Sequence, residues 1–168
     1  MRWGILSTGT IAKNFAQTAS RMPDVQMQAV ASRSSGSAEA FARAYGIPTA
    51  HGSYAALADD PNVDIVYVAT PHSRHYADMK PLIEAGKHIL CEKSFTADAT
   101  QAKEIFALAE KKHVFVMEAF WTKFIPLYRQ IEAILASGKL GEIRAVTAQY
   151  GYTTAREARQ FVPELAGG

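Results

Sequence analysis

Short apolar runs alternating with longer amphipathic stretches constrain this chain more than any other feature. The runs are Trp3–Leu6, Val25–Ala31, Asp64–Ala69, His88–Cys91 and Val114–Met117. A strand that is apolar on both faces must be covered on both, which points to a parallel sheet between helical layers. The intervening stretches carry helical signals. Thr10–Arg21 places Ile11, Phe15 and Ala19 four apart, and Ser37–Tyr45 is stopped by Gly46 with Pro48 beyond. Ser53–Ala58 is a short helix before the turn residues Asp59-Asp60-Pro61-Asn62, and Arg74–Ala85 ends at Gly86. Ala97–Lys112 carries Ala102, Ile105, Phe106 and Ala109 on one face, with Lys111 and Lys112 where the helix dipole favours cations. This order predicts an α/β fold, a Rossmann-type doubly wound parallel sheet, over residues 1–118.

The rhythm changes after Glu118. Pro126–Ala136 reads as one more helix, closed by Ser137-Gly138. Residues 142–152 then alternate, with Ile143, Ala145, Thr147 and Gln149 on one side and Arg144, Val146, Ala148 and Tyr150 on the other. That is a strand pattern with no partner in the remaining sequence. Residues 119–168 are therefore expected to be a linker helix and the truncated start of an α+β antiparallel-sheet domain.

Composition removes several function classes. Hydrophobic residues make up 48% and charged residues 20% of the 168, a globular balance that excludes a disordered or collagen-like chain. The net charge of +2 is too even to argue for nucleic acid or an acidic membrane. No apolar stretch approaches the roughly 18 residues of a membrane span. The opening Met1-Arg2-Trp3-Gly4 has no secretory pattern, and Cys91 is a single cysteine, so the expectation is a cytoplasmic protein without an internal disulfide.

The first apolar run leads into Ser7-Thr8-Gly9-Thr10-Ile11-Ala12. This is a dinucleotide fingerprint in which serine replaces the first glycine and alanine the third. The retained Gly9 is where a diphosphate must approach the backbone, and the helix opening at Thr10 offers it free N–H groups. Taken alone, so degenerate a motif fits an ordinary strand-to-helix turn as well.

The second run ends in Ser32-Arg33-Ser34, where an NAD-selective site would place a carboxylate for the ribose 2′-hydroxyl. Two hydroxyls and a guanidinium suit a 2′-phosphate instead, although a solvated loop arginine is the plainer reading. The expected cofactor is NADP(H) rather than NAD(H). Two further ends, Ala69-Thr70-Pro71-His72 and Cys91-Glu92-Lys93-Ser94, fall on the carboxyl edge of the sheet, where such folds bind ligands. A lysine there can hydrogen-bond a substrate hydroxyl or pass a proton, provided its pKa of about 10.4 is depressed by some 2–3 units. Out of context, Lys93 reads as a solvated surface lysine.

These motifs together resemble the N-terminal half of the Gfo/Idh/MocA oxidoreductases. The resemblance rests on Gly4 through Ala12, Ala69-Thr70-Pro71, His75, Ala85-Gly86-Lys87-His88 and Cys91-Glu92-Lys93. The opening Arg2-Trp3-Gly4-Ile5-Leu6-Ser7 and residues Met117 through Phe124, followed by Pro126, are similar to its dihydrodiol dehydrogenase and xylose dehydrogenase branch. The family's usual Glu-Lys-Pro reads Glu92-Lys93-Ser94 here. The resemblance implies hydride transfer between nicotinamide and a secondary alcohol or sugar, with Lys93 as the catalytic residue that positions or polarises the reacting oxygen. It implies cofactor contacts from Ser7, Thr8, Gly9, Thr10, Ile11, Ser32, Arg33, Ser34, Thr70, Pro71, His72, His75, Glu92, Lys93 and Trp121. It also implies a second domain that supplies a Tyr or His acid/base and the surface of a homo-oligomer in the full-length form. The acid/base residue is then expected beyond Gly168.

Other chemistry-bearing residues have plainer readings. Cys91 lies in a buried run and reads as a packed thiol. His72 and His75 lack the further ligands a metal needs, so no metal is expected, and His75 is expected to hydrogen-bond at a helix start near the cofactor. Phe120, Trp121 and Phe124 fit core packing at helical spacing as well as a pocket wall. Two alternatives to an enzyme stand: a non-catalytic dinucleotide-binding module, and an inactive fragment whose strand over 142–152 seeks a partner edge.

Overall fold

The computed structural model describes residues 1–151, 153 and 161–166. Six strands form one sheet: β1 (Arg2–Leu6), β2 (Gln26–Ala31), β3 (Thr49–His51), β4 (Ile65–Val68), β5 (His88–Glu92) and β6 (Val116–Ala119). Their order is β3-β2-β1-β4-β5-β6, and every neighbouring pair is parallel. This is the doubly wound arrangement expected above.

The crossovers are helices α1 (Thr10–Ala19), α2 (Ser35–Tyr45), α3 (Tyr54–Ala58), α4 (His75–Glu84) and α5 (Ala99–Lys112). Local sequence sets their ends. Ser34, Ser53 and Asp98 each cap a helix by accepting from a backbone N–H three residues on. Helix α2 stops at Gly46 in the left-handed region, with φ +66°.

Successive strand residues face opposite helical layers, so the core is split by the sheet. Leu6, Val66, Val68, Ile89 and Cys91 pack with Leu57, Met79, Leu82, Ile83 and Ile105. Ile5, Val30 and Tyr67 pack on the other side with Ala12, Ala16, Phe41 and Ala42. Gly4 lets α3 approach β1: a Cβ there would lie 3.0 Å from both Leu57 Cδ1 and Val63 Cγ1.

Several expectations need correction. Strand β3 was not foreseen, because Thr49-Ala50-His51 is too short and polar to signal itself; pairing with Ala29–Ala31 makes it a strand. Strand β6 runs two residues later than Val114–Met117. A 3-10 turn, His72–Arg74, precedes α4. The strand expected over 142–152 is not formed: residues 142–151 are exposed and carry no strand pairing. An alternating segment becomes a strand only against a partner edge, and among the described residues none meets it. Tyr152 and residues 154–160 lie outside the described residues.

Beyond β6, a 3-10 turn (Trp121–Phe124) leads into α6 (Pro126–Ala136), of which no residue is buried. A short helix, Pro163–Ala166, returns to the molecule, where its Glu164 carbonyl accepts from Ser73 Oγ at 2.6 Å.

Candidate functional site

The direction in which successive strands are added to the sheet reverses between β1 and β4, since β1 crosses to β2 on one side and β4 to β5 on the other. The carboxyl ends of the two strands leave a crevice between them, the usual ligand position in open parallel sheets. A cleft of about 890 Å³ lies there. It is lined by Ser7 through Ile11 and Asn14, by Ser32 and Arg33, by Tyr54, by Ala69 to Pro71, by Ser73, Arg74 and Asp78, and by Glu164 and Leu165.

The β1–α1 turn is held by its own polar atoms. Ser7 N donates to Ala31 O at 2.9 Å, tying the turn to the end of β2. Ser7 has φ 110°, a conformation that glycine adopts without strain and serine does not. Its Oγ accepts from Gly9 N at 3.2 Å, which offsets part of that strain. Gly9 begins α1 with no side-chain cap, and no acidic residue occupies the first turn. A Cβ on Gly9 would meet only Ser7 Oγ, at 3.5 Å, so internal packing does not demand glycine there. The bare backbone instead leaves the uncapped N–H groups of α1 open to a ligand. These features fit the diphosphate of a dinucleotide.

Elsewhere in the lining, Arg74 donates to Asp78 Oδ1 at 2.9 Å. The Asp78 side chain is 3% exposed and that of Arg74 58%. Burial pushes the Tyr54 phenol above its ordinary pKa; Asp78 adds to that rise, while Arg33 and Arg74 oppose it. Two buried oxygens, Thr70 Oγ1 and Asp78 Oδ2, have no hydrogen-bond partner among the described residues.

Nine of the residues proposed from sequence line the cleft: Ser7, Thr8, Gly9, Thr10, Ile11, Ser32, Arg33, Thr70 and Pro71. Six do not. The Ser34 hydroxyl caps α2. His72 is half-buried beside His75, with ring centroids 5.7 Å apart. His75 is completely buried; its Nδ1 lies 2.8 Å from Ser94 O and its Nε2 2.9 Å from Thr70 O. It thus ties the end of β4 to the turn after β5 rather than facing a ligand. Glu92 is buried and accepts from the Tyr67 hydroxyl at 2.6 Å and from Lys93 N at 3.3 Å. Lys93 is exposed on the turn after β5, and Trp121 is exposed beyond β6. Burial pushes the Cys91 thiol up, as befits a packed core residue.

Sequence reading missed Asn14, Tyr54, Ser73, Arg74 and Asp78. Asn14 had a usable signal, being one helical turn past Thr10 on the same face of α1. The others come from elements that only the fold brings together. Among the described residues no cluster could hold a metal ion, and no helix is long and apolar enough to cross a membrane.

Residues 1–120 match the oxidoreductase family GFO_IDH_MocA, described as an NAD-binding Rossmann fold. The chain belongs to the Gfo/Idh/MocA oxidoreductase family. Among Gfo/Idh/MocA relatives, the trans-1,2-dihydrobenzene-1,2-diol dehydrogenase of Xenopus tropicalis is 39% identical over 169 residues, covering 99% of this chain and 51% of that protein. The Homo sapiens enzyme of the same name is 38% identical over 170 residues, covering all of this chain and 51% of its own. This Gfo/Idh/MocA chain thus spans about half the length of the curated relatives it matches. Among solved structures, KijD10, a 3-ketoreductase from Actinomadura kijaniata in complex with TDP-benzene and NADP, superposes with a TM-score of 0.79 at 34% identity. That match covers 86% of this chain and 46% of KijD10. A probable dehydrogenase from Thermotoga maritima, 21% identical with a TM-score of 0.77, shares the fold.

Proposed function

We propose that these residues form the nucleotide-binding part of an NADP(H)-dependent oxidoreductase acting on a secondary alcohol or sugar, of dihydrodiol or aldose type. The observation that carries this reading is the cleft at the switch point. It has an uncapped helix N-terminus on one wall and Arg33, with no carboxylate near it on β2, at its end. The names of the dihydrodiol dehydrogenase relatives and the NADP held by KijD10 support it.

In this reading the backbone N–H groups of Thr10 and Ile11 bind the diphosphate, Gly9 lets it approach the turn, and Ser32 and Arg33 hold the 2′-phosphate. Thr70 and Pro71 wall the nicotinamide side. Bound nicotinamide supplies or accepts the hydride. Lys93 holds the proton at the reacting oxygen; its turn is fixed from below by Glu92 and by the His75 link to Ser94. We assign residues 1–118 to the cofactor domain and 119–168 to the start of a substrate and oligomer domain, in a cytoplasmic homo-oligomer.

One observation favours binding over turnover for these 168 residues alone: Lys93 and Trp121 lie outside the cleft lining. The test is a fluorescence titration with NADPH and separately with NADH. Tighter NADPH binding, erased in Arg33→Ala, is the expected result. No binding of either nucleotide overturns the reading.

A further inference from the structure

The cleft that Arg33 lines is also lined by a different part of the chain. Arg74 belongs to the 3-10 turn after β4, and Asp78 to the first turn of α4. The two side chains form an ion pair of unequal exposure: the carboxylate is 3% exposed and the guanidinium 58%. The negative end of the pair is therefore inside the protein and the positive end faces the cleft water. One guanidinium N–H is used on Asp78 at 2.9 Å, and among the described residues no other partner engages the fork. A guanidinium carries five donors in fixed geometry, so the rest remain available for an anion.

Arg74, Arg33 and Tyr54 line one cleft. The other carboxylate of the lining, Glu164, is exposed, and its backbone rather than its side chain is anchored to Ser73. A buried carboxylate behind an exposed arginine restricts the rotamers of a long side chain before any ligand arrives. Preorganisation of this kind favours a ligand with several acceptor oxygens at one point, which is a phosphate monoester.

We infer that Arg74, held in place by Asp78, is a second 2′-phosphate contact and determines cofactor choice together with Arg33. This rests on the NADP(H) reading above and extends it to a residue from a second segment of the same cleft lining. Asp78 acts as a positioning residue, because it touches Arg74 and not the phosphate. Arg33 follows β2 and Arg74 follows β4, so the phosphate joins the segments after these two strands.

The experiment is a titration of the full chain with NADPH, NADH, 2′-AMP and 5′-AMP, using the wild type, Arg33→Ala, Arg74→Ala, Arg74→Lys and Asp78→Asn, with thermal melting to verify folding. Arg74 is largely exposed, so Arg74→Ala is expected to fold. It should weaken NADPH and 2′-AMP at least tenfold while changing NADH and 5′-AMP less than about twofold. Arg74→Lys should recover only part of the loss, because it keeps the charge without the fork. Asp78→Asn should show a smaller loss confined to the phosphorylated ligands, and should add nothing when combined with Arg74→Ala. Equal weakening of NADPH and NADH by Arg74→Ala would overturn the inference, since it would place Arg74 on the adenine that both share. A wild-type preference for NADPH that Arg33→Ala removes and Arg74→Ala leaves intact would overturn this inference alone. A wild type without that preference would sink the NADP(H) reading with it.

Discussion

The Tyr67 hydroxyl on β4 donates to Glu92 Oε1 on β5 at 2.6 Å, in the interior of the sheet. The bond holds Glu92 beneath the Lys93 turn instead of in the cleft, and stacking on Phe15 of α1, with centroids 3.9 Å apart, fixes the Tyr67 ring. Burial, and then Glu92, push the phenol far above the ordinary tyrosine pKa.

Removing that hydroxyl leaves a buried carboxylate oxygen without its donor. Tyr67→Phe is expected to destabilise the fold by about 1.5–3 kcal/mol, the range for a hydrogen bond to a charged group. Urea unfolding at pH 7 measures it. The pH dependence has a definite sign. The folded phenol titrates above the unfolded one, so its stabilisation is complete below about pH 10 and is lost as pH rises beyond it. Tyr67→Phe should flatten that alkaline decline.

Asp64 gives the opposite dependence. Its carboxylate accepts from Arg2 Nη2 and from the Arg2 backbone N–H, both at 2.7 Å, and the Arg2 guanidinium holds its pKa down at about 2. The stabilisation is present above the ordinary value near 3.8 and disappears as pH falls through 2. Its size is small, because both side chains are about a third exposed and water screens the pair. Urea midpoints between pH 5 and 2 should fall more steeply for the wild type than for Asp64→Asn.

Ser7 sets strain against a hydrogen bond. Its φ of 110° costs about 1–3 kcal/mol in a non-glycine residue, and its Oγ recovers about 0.5–1.5 kcal/mol from Gly9 N. Ser7→Ala keeps the strain and loses the acceptor, so it should destabilise by about 1 kcal/mol. Ser7→Gly loses both and should match or exceed the wild type. Thermal melting of the two variants separates the effects, and a more stable Ser7→Ala would contradict this account.

Gly4 tests the packing of α3 on β1. A methyl group there would need both Leu57 and Val63 to give way from 3.0 Å. Gly4→Ala is expected to destabilise by about 1–3 kcal/mol, as overpacking in a filled core does. The companion Gly4→Ala, Leu57→Ala variant should lose less than the sum of the two single changes.

His75 joins two strand ends that the proposed chemistry needs. His75→Ala removes the ring that lies within hydrogen-bond distance of the Thr70 and Ser94 carbonyls, and leaving the buried Thr70 carbonyl unpartnered costs about 1–3 kcal/mol. The expected result is a lower melting temperature, together with faster amide exchange at the β4 and β5 ends than in the rest of the sheet.

Five of the six strands, the helices between them, the parallel sheet and the β1–α1 turn were legible in the amino-acid order alone. Those signals are local: apolar runs, capping residues and glycine stops act within a few positions. The sequence also determined that Arg33, and no carboxylate, ends β2. It could not show β3, whose three residues become a strand only beside Ala29–Ala31, nor could it show that the alternation over 142–151 would find no edge. The site divided in the same way. Nine cleft residues were legible because they sit just after strand ends or at the start of the helix that follows, and these segments converge in this topology. His75 and Glu92 carried similar motif signals, yet the fold turned them inward onto Thr70, Ser94 and Tyr67, where desolvation makes each buried polar atom seek a partner. Only tertiary structure brought Arg74 into one cleft with Arg33, with Asp78 buried behind it, because that arrangement depends on segments following two different strands meeting at the sheet edge.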